Sequence, residues 1–168
     1  PNGSPGTRSG ICVVVPARNE EKLVGRCIAS VLAAGLDPAH VYAIDDASSD
    51  RTGEILRSFA GLNVLSNDPR RGKAGSLCHA IERFGLAERY EFVAILDADS
   101  HVAEGYFDAV QKAFADDPHA ALVCGSPRGQ AHNFLTAFRT LEYALSLVLY
   151  RKGQDRLGVI TVAPGCAS

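Results

Sequence analysis

The apolar run Phe92-Val93-Ala94-Ile95-Leu96 stops abruptly at two carboxylates, Asp97 and Asp99. That junction constrains the fold more than any other stretch. Such a run reads as a fully buried strand that delivers its acids to the rim of a sheet. Residues i and i+2 of an extended chain share a face, roughly 6 to 7 Å apart. Two unpaired carboxylates about 5 Å apart repel by about 3 kcal/mol at an effective dielectric near 20, so the pair calls for a positive partner. A hard divalent cation answers that need, and a solvated acidic turn is the plainer alternative.

The remainder of the chain alternates strand and helix patterns. Ile11 to Val15, closed by Pro16, reads as a first buried strand, and Leu23, Val24, Cys27, Ile28, Val31 and Leu32 recur at helical spacing up to Gly35. Val41 to Ile44 predicts a second strand ending in Asp45 and Asp46, and Ile55, Leu56 and Phe59 a helix stopped by Gly61. Leu62 to Leu65 is a third strand; Ala74, Leu77, Cys78, Ile81 and Phe84 mark a helix stopped by Gly85. The Phe92 strand follows, then a helix through Phe107, Val110 and Phe114, a strand from Ala121 to Cys124, a helix over about Asn133 to Tyr150 and a strand from Gly158 to Val162. Strands alternating with helices predict an α/β fold, a mainly parallel sheet covered on both faces. In such sheets ligands lie off the carboxyl ends of the strands, where the strand order reverses. Polar residues gather at those ends: Arg18, Asn19 and Glu20, then Asp45 and Asp46, then Asp97 and Asp99.

Composition narrows the function classes. A net charge of −2 offers no general attraction for nucleic acid. Five scattered cysteines with no Cys-x-x-Cys pair argue against a disulfide framework or a zinc site and point to a reduced, cytoplasmic compartment. No apolar run approaches the roughly 20 residues that span a bilayer. The Gly-, Pro- and Ser-rich residues 1–10 read as a linker or tag remnant, leaving 11–168 as the folded unit. The chain has no methionine and stops just after an apparent strand, so a piece of a longer protein is expected.

Each polar segment carries two readings. Asn19, Glu20 and Glu21 either cap the helix that follows or belong to a site, and Asp46 to Asp50 either forms a capped turn or offers Asp46 to a nucleoside imide or hydroxyl. Arg70, Arg71 and Lys73 at a helix start form either a solvated basic loop or a phosphate site. The segment is not a Walker A loop, because Ala74 follows Lys73 and Asn67 stands where the first glycine belongs. No Gly-x-Gly-x-x-Gly follows the first strand, and His101 stands where a haloacid-dehalogenase-type phosphatase wants Thr or Val. The apolar residues of the Asn133 to Tyr150 helix serve either a core or a membrane-facing surface.

Four segments taken together resemble the nucleotide-sugar-binding half of a family 2 glycosyltransferase of the GT-A fold. They are Val15 to Glu21, Ile44 to Thr52, Arg71 to Leu77 and Leu96 to Asp99. The resemblance implies a UDP-sugar donor, with Pro16, Arg18, Glu20, Asp45, Asp46, Lys73 and Asp97 around the nucleotide. It also implies Mg²⁺ or Mn²⁺ on Asp99 and Asp97, bridging the diphosphate. Thr140 to Tyr143 and Val162 to Cys166 are similar to membrane-associated members that make β-linked polysaccharides of glucose or N-acetylglucosamine. That similarity implies a saccharide or lipid-linked acceptor and, for the full-length protein, the cytoplasmic face of a membrane. The family's general base and its Gln-x-x-Arg-Trp motif are expected beyond Ser168, so this chain is expected to bind donor without a catalytic base of its own. Competing readings are a nucleotidyltransferase, disfavoured because Pro16 to Asn19 lacks the glycines of its loop, and a non-catalytic nucleotide-sugar-binding domain.

Overall fold

The computed structural model describes residues 9–123 and 125. Among them, four strands form an all-parallel sheet: β1 (Ser9–Ala17), β2 (Val41–Asp46), β3 (Asn63–Asn67) and β4 (Tyr90–Ile95), in the order β3-β2-β1-β4. The helices are α1 (Val24–Ala33), α2 (Thr52–Ser58), α3 (Gly72–Phe84), the short α4 (Leu86–Arg89) and α5 (Tyr106–Asp116). α4 escaped the sequence reading because a single helical turn carries no periodicity.

The period-2 alternation of the two central strands builds both layers of the core. Ile11, Val13 and Val15 of β1, with Val41 and Ala43 of β2, pack against Val24, Cys27, Ile28 and Val31 of α1, Leu56 of α2 and Phe107 of α5. Cys12 and Val14, with Tyr42 and Ile44, turn the other way onto Ala80 of α3 and Leu86 of α4. Val13, Val14 and Val15 are fully buried, which stabilises by about 1.5–3 kcal/mol per side chain.

Proline inside central β1 looks anomalous, and the register shows why it is tolerated. The Leu96 N–H donates to the Val14 carbonyl at 3.1 Å. The next rung of that parallel ladder requires an N–H at position 16, where proline has none. Pro16 therefore ends the β1–β4 ladder, and β4 stops at Ile95. On its other side β1 stays paired with β2 through Ala17↔Asp45.

Three expectations are corrected. β4 is only part-buried, with Ile95 40% exposed, because β1 is its one strand neighbour among the described residues. Residues 121–123 are not in a strand; Leu122 is 60% exposed, and no described strand pairs with them. On α3 Leu77, Ile81 and Phe84 pack against the core as their spacing predicts, but Ala74 and Cys78 face outward and the buried positions are Ser76 and Ala80. The expected helix over Asn133 to Tyr150 and strand from Gly158 lie outside the described residues, as does residue 124.

Candidate functional site

Strand order places the site. β2 and β3 extend from β1 in one direction and β4 lies on the other side, so the order reverses between β1 and β4. Pro16 parts those two strands at their carboxyl ends, where a crevice is expected in an open α/β sheet. A cleft of about 170 Å³ opens beside it, over the carboxyl ends of β1 and β2. Pro16, Ala17 and Arg18 from the β1 end, Asp46 from the β2 end, and Arg70, Lys73 and Ser76 from the start of α3 line it.

Asp45 and Asp46 are adjacent in an extended strand and so point to opposite faces. Asp45 turns to the α2 side, where its Oδ1 accepts the Ser48 N–H at 3.1 Å and its carboxylate fills the space a side chain on Gly53 would need. It does not line the cleft. Asp46 turns to the α3 side. Its Oδ1 accepts the Arg71 N–H at 2.8 Å and the Asn67 amide at 2.9 Å, and its Oδ2 accepts the Gly72 N–H at 2.8 Å, with Arg70 Nε 3.8 Å away. Burial opposes its ionisation, but hydrogen bonds from the Arg71 N–H, Asn67, Ser76 and the Gly72 N–H outweigh that and hold the carboxyl at about 2. Asp46 is thus an ionised anchor for the first turn of α3. Two backbone donors considered for phosphate are already engaged by it.

Lys73, one residue further along, reaches across the cleft mouth and pairs with Asp97 Oδ1. That pair links α3 to the segment after β4. Beneath that segment lies α1: the Cys27 thiol donates to the Asp97 carbonyl at 3.4 Å, and Ser30 Oγ accepts the Val102 N–H at 3.0 Å while donating to the Cys27 carbonyl at 2.7 Å. Burial, with Asp99 and Asp97 nearby, pushes the Cys27 thiol up to about 12. Asp99 itself is exposed.

The loops after β1 and β2 are stitched together. The Asn19 N–H donates to Ser48 Oγ and its Oδ1 accepts the Ser49 N–H; the Glu21 N–H donates to Asp50 and the Arg51 N–H donates back to Glu21; the Glu20 N–H donates to Thr52 Oγ1. Asn19 and Ala47 both adopt φ of 55° to make this join. The helix-capping alternative for Asn19 and the glutamates therefore gives way: α1 begins at Val24, and its N-cap, Leu23, offers no side-chain cap. Glu20 is raised above the usual carboxylate range by burial, then by Asp99 and Asp50.

Sequence reasoning missed Asn67 and Ser76. Asn67 ends β3 as Asp46 ends β2, two residues past the Leu62 to Leu65 run that predicts that strand. Ser76 lies within the Arg71 to Leu77 segment, and no apolar pattern marks it as the fully buried residue it is.

The fold is a parallel α/β sheet with a cleft at its strand carboxyl ends that carries three cationic side chains, Arg18, Arg70 and Lys73. A family model for glycosyl transferase family 2 matches residues 12–168, and the chain belongs to that family. A poly-beta-1,6-N-acetyl-D-glucosamine synthase of Staphylococcus epidermidis is 28% identical over 160 residues, and its counterpart in Staphylococcus aureus strain COL is 27% identical. Both alignments cover 93% of this chain, and the chain spans 38% of the length of these relatives. Among solved structures, the mannosyltransferase PcManGT from Pyrobaculum calidifontis, in complex with GDP-Man and Mn²⁺, aligns with a TM-score of 0.59 at 26% identity, covering 73% of this chain and 37% of that one. S. aureus TarS in complex with UDP-GlcNAc shares the fold, with a TM-score of 0.54 at 24% identity over 74% of this chain and 37% of its own.

The residues present fit a hard divalent cation in part. Asp97 and Asp99 offer carboxylate oxygens, Asp99 from an exposed position. No set of three such ligands surrounds a point among the described residues. A cation held by these two acids would need its remaining ligands from phosphate oxygens and water, as Mg²⁺ commonly does.

Proposed function

We propose that the cleft over the β1 and β2 ends holds the diphosphate of a UDP-sugar, and that the chain is the donor-binding portion of an inverting glycosyltransferase acting in polysaccharide or glycolipid synthesis. The observation that carries this is the placement of Arg18, Arg70 and Lys73 around a cleft at the carboxyl ends of β1 and β2, with Lys73 paired to Asp97 of the segment after β4. The family match, the N-acetylglucosamine polymers in the names of the synthases and the UDP-GlcNAc complex of TarS support it.

Negative charge develops on the diphosphate as the sugar bond breaks, and fixed cations in a partly enclosed cleft stabilise it without reorganising. Arg18 and Lys73 supply that charge. Asp97 keeps the flexible Lys73 side chain aimed across the cleft mouth before donor arrives. Asp46 directs its charge at the α3 first turn and, at 3.8 Å, at Arg70, and not at Lys73, which pairs with Asp97. Mg²⁺ or Mn²⁺ on Asp99 and Asp97 supplies further charge neutralisation when bound. The acceptor is a saccharide or a lipid-linked saccharide, and the whole protein works at the cytoplasmic face of a membrane.

Calorimetric titration of UDP, with GDP in parallel, tests this on the chain and on Asp99→Ala, each with and without Mn²⁺. The expected result is UDP binding that Mn²⁺ strengthens in the parent and not in the variant. Equal UDP affinity in all four combinations overturns the metal assignment; no UDP binding in any of them overturns the donor assignment.

A further inference from the structure

Behind Asp46 runs a chain of hydrogen bonds that the donor reading does not use. Asn67 is 3% exposed and makes three side-chain contacts: its Nδ2 lies 2.9 Å from Asp46 Oδ1 and 2.9 Å from Ser76 Oγ, and its Oδ1 lies 2.8 Å from His79 Nδ1. The chemistry fixes the orientation of every member. An ionised Asp46 only accepts, so the Asn67 amide nitrogen must face it. The Asn67 oxygen then faces His79, and His79 must carry its proton on Nδ1. His79 sits on α3 well past its first turn, while Asn67 closes β3.

We propose that Asn67 and His79 are positioning residues for donor binding: His79 fixes the Asn67 amide, Asn67 fixes the Asp46 carboxylate, and Asp46 fixes the first turn of α3 that carries Arg70 and Lys73 to the cleft. This rests on the reading of the cleft as a diphosphate site. It explains why a strand ends in a buried asparagine, and why the polar Ser76 is buried on α3 where the apolar pattern put Cys78. The brace has a polarity: an aspartate at position 67 presents oxygen to oxygen at Asp46 and keeps no donor for it.

Asn and Gln at position 79 separate this role from simple packing. An asparagine amide nitrogen falls near the position of histidine Nδ1, and a glutamine amide nitrogen near that of Nε2. The experiment measures amide hydrogen exchange at Arg71 and Gly72 by NMR, and UDP affinity in Mn²⁺ by calorimetry, on the parent, Asn67→Ala, Asn67→Asp, His79→Asn and His79→Gln. Faster exchange at Arg71 and Gly72 is expected in both Asn67 variants and in His79→Gln, with UDP binding weakened about tenfold or more where a hydrogen bond to the charged Asp46 is lost. His79→Asn is expected to restore both readouts to near the parent's. Unchanged exchange at Arg71 and Gly72 in Asn67→Ala, or equal behaviour of His79→Asn and His79→Gln, overturns the proposal. If the parent fails to bind UDP, the diphosphate reading falls, and the exchange data still decide whether the brace exists.

Discussion

Replacing Asp46 with asparagine isolates the electrostatic anchor of α3. The carboxylate is 4% exposed and lies at about 2, against an ordinary 3.8. That difference, just under two pH units at about 1.4 kcal/mol each, makes ionisation of Asp46 worth about 2 kcal/mol of folding stability at neutral pH. The native value lies below the unfolded one. The contribution is therefore fully present above about pH 5, falls as the unfolded chain takes up its proton, and is gone once the pH passes below about 2. Asp46→Asn removes it at every pH, and the new amide also points hydrogens at one of the N–H donors it replaces. Urea unfolding followed by circular dichroism, from about pH 7 down to about pH 2.5, gives the stability gap between parent and variant. By about pH 2.5 that gap is expected to narrow by about 1.5 kcal/mol, some two-thirds of the contribution. A gap that stays constant across the range refutes the anchor, because it means Asp46 titrates alike in the folded and unfolded chains.

Ser30→Ala removes both the acceptor for the Val102 N–H and the donor to the Cys27 carbonyl, leaving a buried N–H unpaired, so it should cost about 1–3 kcal/mol in chemical denaturation and weaken Mn²⁺-supported UDP binding more than metal-free binding. Equal losses with and without metal count against α1 as the platform of the acidic segment. Tyr90→Phe breaks a hydroxyl chain at the far end of the sheet, where Tyr90 joins Tyr42 at 3.0 Å and His40 at 2.8 Å. It should lower stability by about 1–2 kcal/mol and leave UDP affinity unchanged, which the same calorimetry checks.

Much of this organisation is legible along the chain. The apolar runs at Ile11 to Val15 and Val41 to Ile44 are strands because only a sheet buried on both faces accepts unbroken β-branched sequence. Gly35, Gly61 and Gly85 all take positive φ just after their helices, as a helix stop requires. The β4 run misled because its apolar residues resemble those of a central strand, while in the described structure it has one neighbour. Burial there is a property of what lies alongside, which the run itself does not encode. Asp45 parts from Asp46 for a local reason: neighbours along a strand send their side chains to opposite faces.

The sequence by itself determined that acids and cations stand at strand ends, because local hydrophobic patterning decides where each strand stops. It also set Asp45 and Asp46 on opposite sides of the sheet. Only the tertiary structure decided that Asp46 would take its donors from Arg71 and Gly72, that Lys73 would cross to Asp97, and that Asn67 and His79 would stand behind them. Those pairings follow from strand order and register, which bring distant segments within hydrogen-bond range. No local pattern records which distant donor a buried carboxylate will meet.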